Sequence, residues 1–485
     1  MSKYIPLIGL EIHVQLNTET KLFCGCPRKG ETPNTNVCPI CLGLPGAMPF
    51  LNKRAVDKAI RIGLGLNCTV TEQSVWDRKN YSYPDLFTGY QISQLEYPLN
   101  YTGYVDISNK RIGINRAHLE NDAAKSLHVD ESTLLDANKS GVALVEIVSE
   151  PDMRNAEEAK EYAEKVRQIV RWVNASDADM YLGEMKFDIN VSLCVEGDPD
   201  NNFKNIKFTP IAEVKNRNSF KELFDVINYE IKRQTIEYEK TGRLYTKGSK
   251  VTMGWNEVKG ETFVQREKEE ADQYRYFHEP DVPPLKISRE WVEEVKSTMP
   301  QQMEEVIDLI VKENKIDRRT VSYLVGDKDR YIFFQECIKI NSNYTKSYIN
   351  WIASELEGLL STANIEFKSL NLTPNTLVTI IILINENKIS NAIGKELLKE
   401  CIDKNDNINI KEVIEQRGLS KVSDTTQIEE FVKKAILENA KVVEEIKGGK
   451  DSAKMFLVGF VMKLSQGKAD ILVVKSLLDK NLFNN

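Results

Sequence analysis

The chain has 485 residues, 41% hydrophobic and 28% charged, with 65 basic against 72 acidic side chains and a net charge of −7. This composition is typical of a soluble globular protein of about three domains, and the acidic balance excludes a general attraction to nucleic acid. The longest strongly apolar run, 377–384, is far shorter than the ~20 residues that span a bilayer, and no signal-peptide core begins the chain. We therefore expect a cytoplasmic protein that makes no membrane contact.

Residues 1–288 alternate short β-like runs, such as 5–14, 142–148 and 187–193, with helical segments. One helix is predicted after Asn155, which can cap it, with Glu158 at the capping-box position. Strands interrupted by helices without a regular βαβ rhythm favour an α+β fold with a mixed β-sheet. The proline-rich stretch 279–284 ends this domain.

The rest of the chain has helical periodicity. Residues 289–404 predict an all-α domain, in which Ser288, Thr373 and Ser390 can cap helices. Residues 405–485 predict a small all-α tail domain, because a polar stretch at 403–409 and a Gly-Gly pair at 448–449 resemble linkers. We expect this tail to move as a unit.

Four of the eight cysteines lie close together in the sequence: Cys24, Cys26, Cys38 and Cys41. Disulfides are unusual in a large cytosolic protein, whereas four thiolates satisfy a tetrahedral zinc ion with no open position. The spacing therefore predicts a structural zinc knuckle over residues 24–41. The alternative is four free thiols in a loop.

Carboxylates and histidines recur at strand spacing in the first domain. Glu11 and His13 are two residues apart, so they point to one face of a strand, and His118, Glu120 and Asp122 repeat that spacing. Two further carboxylates, Glu146 and Asp188, lie in other β-like runs. If these groups converge, they form an oxygen-rich site suited to Mg²⁺ and nucleotide phosphates; the alternative is that each is a solvated edge residue.

Several long motifs, in the same order, resemble the aspartyl/glutamyl-tRNA amidotransferase B subunit family. They include Gly-Leu-Glu-Ile-His-Val at 9–14, Cys-Pro-Ile-Cys-Leu-Gly-Leu-Pro-Gly at 38–46 and Tyr-Arg-Tyr-Phe-His-Glu-Pro-Asp at 274–281. Further matching blocks occupy 77–85, 89–94, 111–114, 146–152 and 213–220, and 456–463 resembles the tail of the family. The resemblance covers nearly the whole chain.

The resemblance implies a cradle-shaped, kinase-like domain, then a helical domain and a mobile tail that binds tRNA. It also implies an ATP-dependent carbon–nitrogen ligase that phosphorylates the side-chain carboxylate of Glu-tRNA(Gln) or Asp-tRNA(Asn) for displacement by ammonia. The ammonia would come from an amidase-type A subunit, and a small C subunit would complete a heterotrimer. ATP, Mg²⁺ and Zn²⁺ are the implied cofactors.

Site residues follow from the matched positions. Glu11, His13 and Glu146 correspond to metal and nucleotide positions, and Asp188 to a further acidic position of the catalytic site. The implied cofactor-binding residues are Glu120, Asp122, Lys79 and Lys215, and 77–80 and Asn216 are further candidate phosphate or substrate contacts. The four clustered cysteines match the family's zinc knuckle.

The sequence departs from the family pattern at four places that we expect to lie around the active site. Asn121 replaces an acid, Lys139 replaces an arginine, Tyr181-Leu182 replaces an acidic pair, and Phe187 stands where a cysteine is common. Two alternatives to a standard amidotransferase component follow. One is a divergent paralogue that amidates another carboxylate, and the other is a non-catalytic, zinc-containing tRNA-binding subunit.

Lysines are concentrated in the tail. Between 446 and 468 the sequence has Lys447, Lys450, Lys454, Lys463 and Lys468 against one acid, a local excess of five minus one, or +4. These lysines are the candidate tRNA phosphate contacts, although a solvated helix face is the alternative.

Overall fold

The computed structural model describes residues 3–201, 203–267, 274–363, 365–404, 409–419, 425–447, 453–465, 469 and 471–483. The chain forms two compact units, Met1–Gln302 and Met303–Asn485. No helix within these described ranges combines the length and the apolarity needed to cross a membrane.

The first unit is built mainly of β-strands. In chain order these are β1 (Ile5–Gln15), β2 (Thr69–Val70), β3 (Gln73–Ser74), β4 (Asp77–Asn80), β5 (Tyr90–Ser93), β6 (Asn100–Asp106), β7 (Arg111–Asn121), β8 (Lys125–Val129), β9 (Ser132–Asp136), β10 (Ala143–Ser149), β11 (Met185–Glu196), β12 (Lys207–Phe208), β13 (Ala212–Arg217), β14 (Val251–Asn256), β15 (Glu261–Glu267), β16 (Phe277–His278) and β17 (Leu285–Lys286). Its helices are α1 (Lys53–Gly65), α2 (Ala156–Trp172), α3 (Phe220–Thr241) and α4 (Arg289–Ser297).

One large sheet organises this unit. Among the described residues it has the order β15-β14-β13-β11-β1-β10-β7-β6-β2, with β12 paired to β11. The four central strands β11, β1, β10 and β7 are antiparallel to their neighbours, while β13 and β14 run parallel. The sheet is therefore mixed, and its centre joins segments that are far apart in sequence.

Helices cover one face of the sheet. The even-numbered residues of β1, namely Ile8, Leu10, Ile12 and Val14, are buried on that face. Phe187 of β11 packs there against Phe220, the first residue of α3, with ring centroids 5.6 Å apart. The odd-numbered residues of β1 consequently point to the opposite face, because side chains alternate along a strand.

Smaller β elements accompany the large sheet, and one of them borders this opposite face. Strands β16, β4 and β5 form a three-stranded sheet, β17 pairs with β3, and β8 with β9 forms a hairpin. The side chain of Gln91 in β5 donates a hydrogen bond to Glu120 of β7 at 2.8 Å. The small sheet therefore contributes side chains directly to the charged face of the large one.

The second unit is helical. Its helices are α5 (Met303–Asn314), α6 (Arg318–Val325), α7 (Lys328–Ile340), α8 (Thr345–Asn350), α9 (Glu357–Ala363), α10 (Pro374–Asn385), α11 (Asn391–Lys404), α12 (Ile410–Gln416), α13 (Thr425–Glu438), α14 (Ala440–Lys447), α15 (Lys454–Leu464) and α16 (Ile471–Phe483), with a π-helical turn at Trp351–Leu356. The apolar run at 377–384 is the buried helix α10, and α13, α15 and α16 share an apolar cluster that includes Ile428, Leu457 and Leu478.

The architecture confirms the predicted α+β class, with a mixed-sheet part followed by a helical part. Several predicted caps are present: Asn155 accepts a hydrogen bond from the amide of Glu158, and Ser288 accepts one from Trp291. Helix α4 contacts α1 and belongs to the first unit, so that unit extends past residue 288. The boundary between helical and tail domains at 404/405 stays a prediction.

Candidate active site

Four charged side chains form a row across the middle of the large sheet. His13 of β1 is paired with Lys186 of β11 on one side and with Glu146 of β10 on the other, and Glu146 is paired with His118 of β7. Paired positions of an antiparallel sheet present their side chains to the same face. All four therefore point away from the helices.

The row and the adjacent Glu120 bring ligand atoms close together. His13 Nε2 lies 3.4 Å from Glu146 Oε2, and His118 Nε2 lies 3.3 Å from Glu120 Oε1 and 3.7 Å from Glu146 Oε2. One donor atom from each of His13, Glu120 and Glu146 falls within a span of 4.8 Å. Two carboxylates and an imidazole at this spacing can hold a divalent cation.

The close group of side chains differs in one member from the metal ligands predicted from the sequence. The sequence predicts Glu11 beside His13 and Glu146, but Glu11 is not part of the close group, and Glu120 takes its place. The reason is the register: Glu11 is paired with Val148 and Asp188, one row along the sheet from Glu146. Asn190 donates a hydrogen bond to Glu11 Oε1 at 3.1 Å.

The proximity of these groups changes their acidity. Burial disfavours the charged imidazole of His13, but the hydrogen bond to Glu146 and the charges of Glu146 and Asp188 raise the pKa of His13 to about 9. Burial likewise opposes ionisation of Glu146, yet the charges of His118, His13 and Lys79 hold its pKa well below the usual range. By contrast, burial and the charge of Glu146 raise the pKa of Glu11. A protonated His13 therefore balances Glu146, and a cation that used this imidazole would displace its proton.

Glu120 is held by the small sheet. Gln91 donates to its Oε2 at 2.8 Å and Ser93 donates to its Oε1 at 2.5 Å. Lys79 of β4 lies 4.0 Å from the same carboxylate and, against the effect of burial, lowers the pKa of Glu120. The predicted cofactor-binding residues Lys79 and Glu120 thus lie together beside the row.

Asp188 and Lys215 lie on the β11–β13 side of the site. The amide of Asn216 donates to Asp188 Oδ1 at 2.7 Å, at a bulge between the two strands. Lys215 lies 3.4 Å from Glu213, which also binds Lys250 at 2.8 Å. The two lysines and Glu213 form a polar group beside Asp188.

Asp122 and the substituted Lys139 form an ion pair at 3.0 Å, and Gln15 donates to Asp122 at 2.7 Å. The neighbouring Asn121 does not join the acidic group. Its side-chain oxygen accepts a hydrogen bond from the amide of Ile92 at 2.6 Å and links β7 to β5. The side chain of Asn121 therefore joins the two sheets, and an acid at this position would not belong to the row.

Of the two other departures, one points to the opposite face of the sheet and the other lies in an exposed loop. The sequence pattern predicts Phe187 near the active site, but it is buried on the helix-covered face, because its neighbours Lys186 and Asp188 occupy the other one. Tyr181 and Leu182 are 86% and 67% exposed, in the loop before β11.

Arg78, a candidate phosphate contact, is used in an ion-pair cluster. Its Nε lies 2.7 Å from Glu279 and its Nη2 lies 3.0 Å from Asp281, while its guanidinium is 4.1 Å from the centroid of the Tyr90 ring. Asp77 accepts a hydrogen bond from the amide of Leu95. These contacts fix β4 against its neighbours and leave Lys79 to face the acids.

The four clustered cysteines converge in a loop before α1. Their Sγ atoms lie within 4.8 Å of one another, and those of Cys38 and Cys41 are 3.9 Å apart. Four thiolates around a zinc ion at ~2.3 Å stand roughly 3.8 Å from each other, so the donor set fits that metal. A hydrogen bond from Cys24, the Cys38 amide and the charge of Lys21 lower the pKa of Cys41 to about 4.

The tail lysines are only partly described. Lys463 is exposed, and Lys454 pairs with Asp479 at 3.0 Å. Lys450 and Lys468, the Gly-Gly pair at 448–449 and the side chain of Lys447 lie outside the described residues.

Sequence reasoning missed several residues of the charged face. Lys186, Asn190, Glu213 and Lys250 were not predicted, although Lys186 and Asn190 follow from strand alternation once Asp188 is placed on that face. Glu213 and Lys250 had no such signal, because their position depends on the pairing of β13 with β11 and β14.

Family models match most of the chain. Residues 6–293 match the model described as the GatB/GatE catalytic domain, and residues 332–482 match the one described as the GatB domain. The sheet with its charged face is thus the catalytic domain of a protein of the GatB/GatE type.

Curated relatives narrow this class. The chain is 41% identical over 485 residues to the B subunit of the aspartyl/glutamyl-tRNA(Asn/Gln) amidotransferase of Persephonella marina, covering 99% of this chain and 100% of the relative. The proteins of the same name from Caldanaerobacter subterraneus and Elusimicrobium minutum are 40% and 39% identical, with 99% and 97% of each chain covered. The chain belongs to the aspartyl/glutamyl-tRNA(Asn/Gln) amidotransferase B subunit family, as the sequence motifs predicted.

Proposed function

We propose that this protein uses ATP to phosphorylate the side-chain carboxylate of Glu-tRNA(Gln), Asp-tRNA(Asn) or both, and that ammonia then displaces the phosphate to form the amide. The observation that carries the proposal is the row of half-buried His13 and buried Glu146 and His118, with Glu120 and Lys79 beside it. Family membership makes this chain part of an ATP-dependent, glutamine-dependent ligase.

The chemistry explains the need for ATP. A carboxylate is a poor acyl donor because oxide would have to leave, whereas an acyl phosphate releases phosphate. In phosphoryl transfer the protein forms few or no covalent bonds with the reactants. Catalysis therefore depends on positioning the reactants and on offsetting the negative charge of the phosphates. The fixed acids and lysines of the sheet face meet both requirements.

His13, Glu120 and Glu146 would hold the magnesium ion. When bound, the ion neutralises phosphate charge and orients the phosphate oxygens. Gln91 and Ser93 hold Glu120 in place through their hydrogen bonds, and this second layer keeps the donor set preorganised.

An apolar cavity of about 280 Å³ on the same sheet face is suited to the nucleobase. It is lined by Leu7, Gly9, Val148, Phe203 and Phe208 among others, and it reaches Glu11. From Gly9 to His13 the strand advances four residues, or about 14 Å at the usual rise of ~3.4 Å per residue. That distance is similar to the length of an extended nucleoside triphosphate. A nucleotide with its base in the cavity could therefore place its terminal phosphate at the row.

Glu146→Gln tests the site because it keeps the size of the side chain and removes its charge. We expect ATP-dependent amide formation by the assembled complex to fall by about 10²-fold or more, while tRNA binding persists. A matched control is Glu239→Gln, since Glu239 is an exposed residue of α3 that pairs with Lys3 at the surface. Near-normal turnover of Glu146→Gln would exclude it as a metal ligand.

We also propose that Cys24, Cys26, Cys38 and Cys41 bind a structural zinc ion. The loop they close carries contacts to the active-site side of the fold: Ser140 donates to the carbonyl of Cys41 at 2.7 Å, next to Lys139. Zinc would therefore support the position of Lys139 without taking part in the reaction.

The partners of this proposal are an amidase-type A subunit that supplies ammonia, a small C subunit, and aminoacyl-tRNA bound by the tail, residues 405–485. The lysines Lys447, Lys450, Lys454, Lys463 and Lys468 are the proposed phosphate contacts. The ion pair of Lys454 with Asp479 makes it a weaker candidate than the exposed Lys463.

Deleting 405–485 should strongly raise the apparent KM for aminoacyl-tRNA and leave the partner's hydrolysis of glutamine almost intact. Single lysine substitutions should reduce the salt dependence of tRNA binding by about one unit of slope each. Unchanged affinity and slope after the deletion would show that the lysines form a solvated helix face.

A further inference from the structure

The charged face carries lysines that are almost all paired with carboxylates. Lys79 lies 4.0 Å from Glu120 and Lys139 lies 3.0 Å from Asp122. Lys215 and Lys250 share Glu213, at 3.4 and 2.8 Å. Each of these four ammonium groups thus has an internal counter-charge.

Lys186 differs from the other four. It is half-buried in the central row, opposite His13, and its Cε lies beside the backbone of Gly183, 3.7 Å from where a Cβ on that glycine would stand. Across the described part of the chain it forms no ion pair and no hydrogen bond. Asp122 and Asp188 attract its charge, but neither lies within ion-pair distance. A partly desolvated ammonium group without a close partner is costly, so Lys186 is suited to an anion that arrives from outside.

Its position along the strands indicates which anion this is. The nucleobase cavity lies at the level of Leu7 and Gly9, and the cation ligands His13 and Glu146 lie two rows further along. Lys186 is at the level of His13, so a nucleotide with its base in the cavity would bring its terminal phosphate, and not its base or sugar, beside Lys186. The carboxylate that accepts the phosphoryl group must reach the same point.

We propose that Lys186 binds the phosphoryl group while it passes from ATP to the side-chain carboxylate, an inference that rests on the function proposed above. In this step the bond between the γ-phosphorus and the bridging oxygen breaks, and ADP keeps the electron pair. A new bond forms between phosphorus and a carboxylate oxygen. Lys186 keeps its proton and donates hydrogen bonds to the non-bridging oxygens throughout.

Two variants separate the charge of this residue from its packing. Lys186→Met keeps the length of the side chain and removes the charge, and Lys186→Arg keeps the charge. A matched control is Lys232→Met, at an exposed lysine of α3 on the helix-covered side. Single-turnover formation of ADP by the assembled complex with mischarged tRNA, without glutamine or ammonia, measures the transfer step directly.

We expect Lys186→Met to slow single-turnover ADP formation by about 10²–10³-fold, the usual effect of removing one preorganised donor. The Kd for ATP should stay within about threefold of the parent value, because the interaction is strongest during transfer. Lys186→Arg should recover most of the rate, and Lys232→Met should match the parent protein.

Three results would overturn the proposal: an unchanged transfer rate in Lys186→Met, a loss confined to ATP affinity, or an arginine variant no faster than the methionine variant. Thermal unfolding of each variant shows whether the fold is kept, and the arginine variant decides the question if Lys186→Met does not fold. Glu146→Gln in the same assay separates the two proposals. If Glu146→Gln is inactive and Lys186→Met is active, only the role of Lys186 fails; if both are active, the proposed site itself is wrong.

Discussion

Phe187 provides a quantitative test of whether the helix-covered face of the sheet affects stability without affecting activity. The family resemblance implies cysteine at this position, and the phenylalanine here is fully buried against Phe220 of α3. Phe→Ala changes in cores cost roughly 3–5 kcal/mol, and a sulfur atom restores about 1 kcal/mol of that packing. We therefore expect Phe187→Cys to lower the free energy of unfolding by about 3 kcal/mol. For a unit of this size that corresponds to a fall in Tm of about 6 °C.

Calorimetry of the full-length chain measures the loss of stability, and ATP-dependent amide formation below the transition measures function. Since Phe187 points away from the row of His13 and Glu146, amide formation should stay within about twofold of the parent rate. Phe187→Leu is the matched control, because it keeps most of the volume and should cost about 1 kcal/mol. A Phe187→Cys protein with unchanged Tm and altered turnover would refute the assignment of this residue to the helix-covered core.

Three further predictions concern the metal loop, acid stability and an ion-pair cluster. Cys38→Ser should reduce bound zinc from about one ion per chain to almost none, measured by elemental analysis, and a parent protein without zinc would contradict this. A hydrogen bond from Arg417 is the main reason that the pKa of Glu400 is lowered to about 2, from an ordinary value of 4.5. The stabilising effect of the ionised Glu400 is complete above the ordinary pKa and is lost as the pH falls toward 2. Glu400→Gln should therefore flatten the plot of unfolding free energy, measured with urea, against pH between about pH 5 and pH 2. The slope of that plot at neutral pH should stay unchanged. Arg78→Lys loses the forked contact to the buried Glu279 and should destabilise the protein by about 2 kcal/mol in chemical unfolding, whereas an equally stable variant would show that the fork contributes little.

Local rules predicted what depends on neighbouring residues in the chain. Strand alternation put Glu11 and His13 on one face, and helix-capping rules placed the start of α2 at Asn155. Pairing between distant strands was beyond such rules. The register of β1 with β10 brings Glu146 to His13 and leaves Glu11 one row away, and only the position of β7 brings Glu120 into the group.

Phe187 is a second case in which the sequence did not predict the position of a side chain. Its neighbours in the sequence are site residues, so proximity along the chain suggested a role in the site. The two-residue period of β11 instead gives alternate positions opposite environments, one charged and one apolar. Comparison with the family pattern shows that the residue type differs at position 187. It does not show to which face of the strand the side chain points.

Because the reactive groups are carried by strand interiors and not by loops, this site should respond unusually to changes in chain length. Loops tolerate inserted residues, but one residue added to or removed from the middle of β1 would exchange its two faces beyond that point. Leu10 and Ile12 would then replace Glu11 and His13 on the open side, and the carboxylate and imidazole would enter the apolar layer. Variation within this family should therefore proceed by substitution along β1, β10 and β11, with insertions confined to the connections between them.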